Sequence, residues 1–349
     1  MYSVLRPLLF SMNPTRAHAV AMRALGPVER LAPLRGLVRA SCAVRDPRLE
    51  VRAMGLVFPS PVGLAAGLDK NAERPRAFAS FGFGHIELGT VTAQAQAPNP
   101  APNLFRLPID HALINRLGFP NEGAGIVAAR VGACKKDIGV PVGISIGKSR
   151  SVPLDPIEGV KEDYLASFRA VRRVADFVVI NVSSPNTKDL RAMQAADVAR
   201  TLFDALLEDA ARAGERIPIL VKIAPDLDDD GIDGICEVAK SAGLSGIVAT
   251  NTTIARSGLA TPADEVERMG AGGLSGRPLF ARSLEVVERV RARVGPSMCV
   301  IGVGGVDDVD STLAMLRAGA DLVQIFTGFI YGGPRLPGTI ARDLLTSRQ

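Results

Sequence analysis

The strongest constraint on the fold is a pattern that repeats from residue 60 onward. Each repeat opens with a short apolar run that ends in small or polar residues, and a longer segment with helical spacing comes after it. A nearly continuous apolar run is typical of a strand that is buried on both faces of a parallel sheet. The runs are Pro61–Gly67, His85–Thr92, Pro141–Gly147, Phe177–Ser184, Pro218–Pro225, Gly246–Thr252, Cys299–Gly305 and Leu322–Gly328.

Eight such strand–helix repeats predict an α/β fold, a closed (β/α)₈ TIM barrel. Arg282–Val294 and Asp308–Ala318 show the three- and four-residue apolar spacing expected of its outer helices. A doubly wound open sheet is the alternative, and such a sheet usually carries a GxGxxG motif after its first strand. The sequence has no such motif at that position, which favours the barrel.

Two longer segments interrupt the repeat. Gln96–Pro120 is rich in proline and asparagine and has little helical periodicity, so we predict an inserted loop that includes a small hairpin. Thr253–Pro278 is predicted to be a second, mobile excursion, and it ends in the glycine-rich stretch GAGGLSG. The first of these segments is expected on the catalytic face of the barrel.

The first 49 residues differ in charge from the rest of the chain. They hold eight arginines and no lysine against Glu29 and Asp46, which gives a net charge of +6. The whole chain carries +5, so the remainder carries −1. A basic segment of this kind can meet anionic lipid or nucleic acid, and the alternative is a solvated arginine-rich helix face.

The same segment has the pattern of an amphipathic helical module. Asn13 and Pro14 have the form of a helix cap followed by proline at the first helical position. Pro27, Pro33 and Gly36 are expected to break up the chain after the second helix. The predicted helices present Leu5, Leu8, Leu9 and Met12 on one face of the first, and Ala17, Val20, Ala21, Ala24 and Leu25 along the second.

We therefore divide the chain into a module over residues 1–49 and a barrel over residues 50–349, and a cap on the bottom of the barrel is the alternative for the module.

No apolar run reaches the ~20 residues that a membrane span needs. The four cysteines lie far apart without a CxxC pair and the three histidines are isolated, so no metal site or disulfide framework is predicted. The N-terminus lacks the pattern of a secretory signal, which favours a cytoplasmic setting.

The candidate chemistry lies at the carboxyl ends of the strands, where barrels of this kind carry their active sites. The late strands supply glycines whose backbone NH groups can cradle a phosphate, and an ordinary turn is the alternative for each cluster taken alone. These glycines are Gly273, Gly276, Gly304, Gly305 and Gly328. The polar residues Asn115, Asn181, Asn186, Asn251 and Thr252 would bind a small, flat molecule with several carbonyl and NH groups.

Two lysines and a pair of serines complete the set of candidates. Lys70 offers a cation for a carboxylate. Lys222 leaves a buried strand end, where an unpaired charge is unfavourable, so it needs an anion such as a reduced flavin or a structural ion pair with an acidic residue. No His, Cys or carboxylate stands at a strand end as a base. Ser183 and Ser184 are the best candidates, provided that the pocket excludes water and a hydrogen-bond relay removes the proton.

The strand-end motifs resemble those of the dihydroorotate dehydrogenase family, specifically its class 2, quinone-dependent branch. The resemblance covers essentially the whole chain and is specific, because many motifs occur in order. They are GLAAGLDKN, FGFGHIELGTVT, NLFRL, INRLGF, INVSSPNT, VKIAPDL, ATNTT, GGLSGRPL, IGVGG and LVQIFTGFIYGGP.

The resemblance implies FMN as the bound flavin and assigns roles to individual positions. Ser184 would be the base, where class 1 members place a cysteine, and Lys222 would stabilise the reduced flavin. The implied FMN contacts are Ala65, Ala66, Gly67, Leu68, Asp69, Thr90, Ser145, Asn181, Lys222, Thr250, Gly276, Gly305, Phe326 and Thr327. The implied substrate contacts are Lys70, Asn115, Arg116, Leu117, Gly118, Phe119, Asn181, Asn186, Asn251 and Thr252.

The N-terminal module, MYSVLRPLLFSMNPTRAH, resembles a class 2 feature that forms a quinone tunnel and lies on the membrane. His18 and Arg106 match positions that line this tunnel. The expected location is therefore peripheral, on the cytoplasmic face of the cell membrane, without a nucleic-acid partner. Two departures are visible: Ser145 stands where many members have asparagine, and Phe326 stands where some have tyrosine.

The expected reaction is oxidation of dihydroorotate to orotate, the redox step of pyrimidine synthesis, with a membrane quinone as the electron acceptor. A phosphate-binding barrel without catalytic activity, using its basic arm on nucleic acid, is an alternative from another class. A class 1 fumarate- or NAD-linked enzyme and a dihydropyrimidine dehydrogenase-like barrel are further alternatives. Ser184 and the N-terminal module argue against these last two.

Overall fold

The computed structural model describes residues 2–186, 190–194 and 196–347. Thirteen strands are present in this part of the chain. They are β1 (Val51–Ala53), β2 (Leu56–Phe58), β3 (Val62–Leu64), β4 (His85–Val91), β5 (Leu104–Leu107), β6 (Ala112–Asn115), β7 (Val142–Ile146), β8 (Phe177–Asn181), β9 (Ile219–Ile223), β10 (Gly246–Ala249), β11 (Gly273–Gly276), β12 (Cys299–Val303) and β13 (Leu322–Ile325).

Helices alternate with these strands and also form the N-terminal segment. They are α1 (Tyr2–Ser11), α2 (Pro14–Ala24), α3 (Gly26–Arg30), α4 (Ala32–Cys42), α5 (Pro75–Ala79), α6 (Ala124–Ile138), α7 (Ile157–Val171), α8 (Ala196–Arg212), α9 (Asp229–Ala242), α10 (Ala263–Met269), α11 (Phe280–Val294), α12 (Val309–Arg317), α13 (Thr327–Gly332) and α14 (Leu336–Ser347). Short 3₁₀ turns lie at Pro47–Leu49, Leu190–Gln194 and Arg277–Leu279.

All eight predicted strands form, and they close into one parallel barrel, so the barrel prediction is confirmed. The order around the barrel is β3, β4, β7, β8, β9, β10, β12 and β13, and β13 pairs with β3 again. The two predicted outer helices correspond to α11 and α12. Asp308 caps α12, and its side chain accepts a hydrogen bond from Ser311 N at 2.8 Å.

The interior of the barrel is mostly apolar. Phe58 of β2 closes the lower end, with its ring 5.5 Å from His85 and 6.5 Å from Phe177. Because alternate residues of a strand face the same side, every second side chain that follows His85 on β4 and Phe177 on β8 lies inside the barrel as well. Apolar side chains fill most of this space, namely Val179, Leu220, Val248, Ile301, Val303 and Leu322.

The two predicted insertions meet in a single small sheet. Gln96–Pro120 contains the hairpin β5–β6, as predicted, and β11 from Thr253–Pro278 pairs antiparallel with β6. Asp110 strengthens this union, because its carboxylate accepts hydrogen bonds from the backbone of Ala260 and Thr261 at 2.6 and 3.1 Å. The third strand was not predicted, since its partner lies more than a hundred residues earlier in the sequence.

The N-terminal segment forms four helices, and the Asn13 cap is confirmed by hydrogen bonds from Thr15 N and Arg16 N to its side chain. Pro27 and Pro33 lie in the first turns of α3 and α4, where their missing NH groups are tolerated. The expected break at Gly36 is wrong, because α4 runs through this residue.

The exposed surface of the N-terminal helices is unusually apolar. Leu5 and Leu8 of the predicted stripe are exposed, whereas Leu9 and Met12 are half-buried. Further exposed apolar side chains of this segment are Val4, Val20, Leu31 and Leu37. Within the described ranges, no helix has the length and apolar character to cross a membrane.

Candidate active site

Thr90, Ser145 and Asn181 form a chain of hydrogen bonds across three neighbouring strands. The hydroxyl oxygens of Thr90 and Ser145 lie 2.9 Å apart, and Asn181 Nδ2 donates to Thr90 Oγ1 at 3.0 Å. All three side chains are buried. Ser145, the departure from the family pattern, is therefore joined to the polar network despite its short side chain.

Asn251 and Ser183 extend this network toward β10. Asn251 Nδ2 donates to Ser183 Oγ at 2.9 Å and to Asn181 Oδ1 at 3.3 Å. Ser183 Oγ itself donates to Asn181 Oδ1 at 3.1 Å. On its other side, Asn251 Oδ1 accepts from Thr252 N at 2.8 Å. These bonds fix the amide of Asn251 and commit the hydroxyl proton of Ser183.

Ser184 stands outside the network. It is buried, and the one hydrogen bond that its hydroxyl makes within the described residues is accepted from Asn186 N at 3.2 Å. Asn186 Nδ2 in turn donates to Asn115 Oδ1 at 3.1 Å. The structure thus brings together residues from the β8 loop and the hairpin that were predicted to surround the substrate. Thr187, the last residue of the NVSSPNT motif, lies outside the described residues.

Lys222 is a buried ammonium group on the inner wall of the barrel. It lies on β9 in register with Asn181 of β8 and is 6% exposed. Burial lowers its pKa, and the carboxylate of Glu87 opposes this shift through space. The described part of the chain gives Lys222 neither a hydrogen bond nor a direct ion pair. The structural ion pair that was the alternative for Lys222 is therefore not formed there.

Lys70 and His18 bring the N-terminal helices close to the strand ends. Burial lowers the pKa of Lys70 to about 8, and Asp69 opposes this change. Burial, together with the positive charge of Lys70, lowers the pKa of His18 to about 4. The predicted tunnel histidine on α2 therefore lies within electrostatic reach of the predicted substrate lysine.

The predicted tunnel arginine, Arg106, joins the hairpin to the N-terminal helices. Its Nη1 donates to Met12 O at 2.8 Å and to Phe10 O at 3.3 Å, and its guanidinium lies 4.7 Å from the centre of the Phe10 ring. The carbonyl groups at the end of α1 favour a cation at this position. Arg106 therefore holds the α1–α2 corner.

The glycine-rich segments converge after the last two strands. A Cβ on Gly276 would lie 3.0 Å from Thr327 Cγ2, and one on Gly305 would lie 2.5 Å from Phe280 Cβ. Both glycines also have positive φ angles, of +102° and +77°. Only glycine suits such positions, so the backbone itself lines this corner. The hydroxyl of Thr327 lies 2.8 Å from that of Ser275.

The AAGLD run lies between the first and last strands of the barrel. Ala65 N donates to the end of β13 at 3.1 Å, and Gly67 N donates to the carbonyl of Gly89 on β4 at 2.8 Å. A Cβ on Gly67 would lie 3.2 Å from the Phe326 ring, so these two predicted FMN contacts are neighbours. Ala66 is half-buried beside them, and Leu68 is buried.

Two predicted contact residues use their side chains to hold loops. Asp69 accepts hydrogen bonds from Glu73 N and Arg74 N, both at 2.8 Å, and burial raises its pKa to about 6. Arg116 Nη1 donates to Ala271 O at 2.9 Å and so ties the hairpin to the second insertion. Any contact of these residues with a ligand is therefore expected from the backbone.

The remaining predicted residues lie around the same strand ends. A Cβ on Gly147 would lie 2.9 Å from Phe119 Cε2 and 2.8 Å from Thr90 Cγ2, so Phe119 packs beside the polar network. Thr250 Oγ1 lies 3.0 Å from Ser283 Oγ. The backbone carbonyls of Leu117 and Gly118 accept from Asn99 N and Gln96 Nε2, at 3.0 and 2.8 Å respectively.

Sequence reasoning missed an ion pair that connects three of the strand-end loops. Arg191 Nη2 lies 2.7 Å from Asp226 Oδ2 and 3.2 Å from Thr252 O, and its Nε donates to Ser183 O at 3.4 Å. Asp226 lies just after β9, and its carboxylate also accepts from the backbone of Ile254. An arginine in a 3₁₀ turn gave no periodic signal by which this role could be found.

Glu87 and Gln324 were also missed, and they face each other inside the barrel. Gln324 Nε2 donates to Glu87 Oε2 at 2.7 Å, and both residues are fully buried. The available signal was a carboxylate in the middle of β4, away from the strand ends where the candidate residues were expected. No group of three or more potential metal-ligating side chains occurs in the residues that the structure describes.

The comparisons with known proteins agree with the sequence resemblance. The dihydroorotate dehydrogenase family profile matches residues 48–347. The chain is 50% identical to a dihydroorotate dehydrogenase (quinone) of Rhodococcus erythropolis over 334 residues, 96% of this chain and 91% of that protein. It is 48% identical to the protein of that name from Mycolicibacterium smegmatis over 333 residues, 95% of this chain and 91% of the relative.

A solved structure is also similar over nearly the whole chain. The crystal structure of DHODH from Eimeria tenella in complex with ferulenol has a TM-score of 0.87 and 34% sequence identity, and the match covers 98% of this chain and 94% of that one. The fold and the site define a barrel dehydrogenase with an N-terminal helical module. The chain belongs to the dihydroorotate dehydrogenase family, and its relatives are of the quinone-dependent kind.

Proposed function

We propose that this chain catalyses the oxidation of dihydroorotate to orotate with a membrane quinone as acceptor, in pyrimidine biosynthesis. The observation that carries the proposal is the position of Lys222, buried and without a direct partner among the described residues, beside the polar network of Asn181, Ser183 and Asn251. Such a site suits a hydrogen-bonding occupant that gains negative charge beside Lys222, and family membership identifies its class.

FMN fits the residues at this end of the barrel. Close packing and positive φ angles restrict Gly276 and Gly305 to glycine, and their backbone NH groups, with the hydroxyl of Thr327, would hold its phosphate. Lys222 would face the part of the ring that becomes anionic on reduction. When bound, the flavin supplies a two-electron acceptor that takes hydride from the substrate. The remaining predicted contacts, from Ala65 to Phe326, would contact the rest of the flavin.

Substrate binding would depend on amides and one lysine. Asn115, Asn186 and Asn251 are held by one another or by neighbouring backbone, so their free donors and acceptors are already oriented for a flat ligand. Lys70 would pair with the carboxylate of dihydroorotate. Asn181 belongs to the network and is in register with Lys222, which fits its predicted contact with both flavin and substrate.

Ser184 would remove the proton from C5 of dihydroorotate as the hydride leaves C6. The two serines are distinguished by their hydrogen bonds. Ser183 gives its proton to Asn181 and accepts from Asn251, whereas Ser184 only accepts from a backbone NH. The hydroxyl proton of Ser184 is thus not committed within the described residues, which favours this residue as the base.

The N-terminal helices would bring the quinone from the membrane to the flavin. The exposed leucines and valines of these helices and the net charge of +6 on residues 1–49 suit an interface with anionic lipid, on the cytoplasmic face of the cell membrane. Arg106 and His18 lie between these helices and the strand ends. We propose residues 1–49 as this module and residues 50–349 as the FMN-binding barrel.

The test is to purify the full-length chain and record its absorption spectrum before and after dihydroorotate is added without oxygen. We expect a flavin spectrum that bleaches with dihydroorotate and returns with a long-chain quinone, and FMN in the supernatant after denaturation. A purified, folded protein without flavin, or one whose flavin dihydroorotate does not bleach, would contradict the proposal.

A further inference from the structure

A buried carboxylate lies inside the barrel and has no role in the proposed oxidation of dihydroorotate. Glu87 is fully buried in the middle of β4, two residues after His85, so both side chains face the interior. Gln324 approaches from β13 and donates to Glu87 Oε2 at 2.7 Å. Gly63 on the intervening strand leaves the space, since a Cβ there would lie 2.1 Å from the His85 ring.

This interior cluster is incompletely paired. Glu87 Oε1, Gln324 Oε1 and His85 Nδ1 are buried and have no hydrogen-bond partner among the described residues. Buried polar atoms of this kind are normally satisfied by ordered water, and three of them in one cluster offer water enough partners. Ordered water at these three atoms would be the proton donor to Glu87.

The charges around Glu87 are few. Burial raises the pKa of Glu87, and the cation that opposes this is Lys222 of β9. Gln324 of β13 is neutral, and burial lowers the pKa of His85 to about 3, so this ring is uncharged at neutral pH. With Glu87 ionised and Lys222 protonated, the interior is electrically balanced. A second negative charge beside Lys222 would remove that balance.

We propose that Glu87 takes up a proton when the flavin is reduced and releases it when the flavin is reoxidised. This inference rests on the proposed function, since the added charge is that of the reduced flavin. The hydride from dihydroorotate carries two electrons and one proton to the flavin. The proton on Glu87 comes from solvent through the interior water. Glu87 itself forms no bond to the flavin or to the substrate. On reoxidation the two electrons and the proton that came with the hydride pass to the quinone, Glu87 releases its proton to the interior water, and the quinol takes its second proton from solvent.

The test is the pH dependence of the flavin midpoint potential, measured on the FMN-loaded protein and on Glu87→Gln. Each proton taken up with two electrons contributes a slope of about 30 mV per pH unit. We expect about 60 mV per unit in the native protein near neutral pH, because Glu87 adds a second proton. Glu87→Gln should show half that slope. His85→Gln, a neutral change in the same cluster, should keep the native slope.

An infrared difference spectrum between the reduced and oxidised protein supplies a second readout. A protonated carboxyl band should appear on reduction and be absent from Glu87→Gln. If that variant does not fold, Gln324→Met serves instead. Loss of its hydrogen bond to the carboxylate should raise the pH range over which the second proton is taken up.

Equal slopes in the native protein and Glu87→Gln would overturn the inference, and a second proton that persists in the variant would assign the uptake to another group. A protein that carries no flavin would instead contradict the proposed function. The two failures are therefore distinguishable.

Discussion

The strand-end site and the N-terminal helices differ in which side chains they expose to water. At the strand ends, Ser184 and Asn181 are each 4% exposed, and nearly every polar side chain is hydrogen-bonded within the fold. On the N-terminal helices, Val4 is 78% exposed and Leu8 is 65% exposed. One region excludes water from polar groups, and the other presents apolar groups to the surroundings.

This contrast matches two different physical tasks. Proton and hydride transfer need fixed dipoles in a dry pocket, because an interaction with developing charge is stronger where water is excluded. A lipid-soluble acceptor needs an apolar entrance instead. The helices are nevertheless attached by specific contacts, including an ion pair of the buried Glu29 with Arg76 of α5, at 2.8 Å. The boundary between the two regions is therefore a good place to separate the two half-reactions.

The largest expected effect comes from Ser184→Ala. This change should retain FMN and orotate binding yet slow flavin reduction by dihydroorotate about 10²–10⁴-fold, the usual contribution of a general base. Stopped-flow absorbance under anaerobic conditions measures the rate. Ser184→Cys should keep part of the activity, because a thiol is more acidic than a hydroxyl and can still transfer the proton.

Ser183→Ala is the matched control for the base, since it removes the neighbouring hydroxyl. That hydroxyl supports Asn181 and Asn251, so its loss should weaken substrate binding more than it slows the chemical step. Near-native flavin reduction in Ser184→Ala would show that the base lies elsewhere.

The second prediction removes the N-terminal helices. Deleting residues 1–40 should leave flavin reduction by dihydroorotate nearly unchanged in the folded barrel, because the strand-end network lies after residue 60. It should abolish rapid reoxidation by a long-chain quinone and release the protein from anionic vesicles. Double-mixing stopped flow and vesicle sedimentation measure the two outcomes.

A point substitution makes the same comparison without the risk of aggregation. Leu8→Glu places a charge on the exposed face of α1, and Val57→Glu places one on β2 of the barrel, where Val57 is 43% exposed. Only the first should weaken vesicle binding and slow the quinone reaction. Reoxidation of the truncated barrel at the full-length rate would mean that the helices are merely a structural cap.

The third prediction concerns Lys222, which lies on the barrel side of the boundary. Lys222→Ala removes the cation that faces the reduced flavin, so the midpoint potential should fall and FMN should be retained less firmly. A loss of about 10²–10³-fold in the reduction rate is expected for one electrostatic contact to developing charge. Potentiometric titration of the loaded variant tests this, and an unchanged potential would contradict the role.

The sequence predicted the barrel well, because eight apolar runs are a local signal that survives without knowledge of contacts. The hairpin in Gln96–Pro120 was also predicted from local composition. Its third strand, β11, was not, since pairing between Gly273 and Asn115 depends on distant parts of the chain. Local signals also explain the wrong prediction of a break at Gly36, where the packing of α4 overrides one poor helix former.

The candidate site also combines features that the sequence predicts with features that only the structure shows. Residue types at strand ends could be identified directly, and the structure brings Thr90, Asn181 and Asn251 into one network. Residue order alone does not show which atoms pair and which remain free. The difference between Ser183 and Ser184, and the unpaired oxygen of Glu87 among the described residues, are properties of geometry and burial.

The smallest expected effect is a pH dependence at Lys70, which sharpens the comparison because this residue lies where the two regions meet. Burial lowers its pKa to about 8, so the ammonium form that would pair with the substrate carboxylate is present below pH 8 and is lost as the pH rises through that value. KM for dihydroorotate should therefore rise up to about tenfold per pH unit above pH 8, while kcat changes less.

Lys70→Arg keeps a charge at all these pH values and should remove the rise. Steady-state kinetics from about pH 6 to about pH 10 measure both parameters. The quinone half-reaction offers an internal control, because burial and Lys70 hold the pKa of His18 at about 4, and its ring stays neutral above pH 8 whatever the charge of Lys70. The rate of quinone reduction should not follow the titration of Lys70, since a carboxylate partner is absent from that step. A KM that stays flat above pH 8 would mean that Lys70 does not bind the substrate carboxylate.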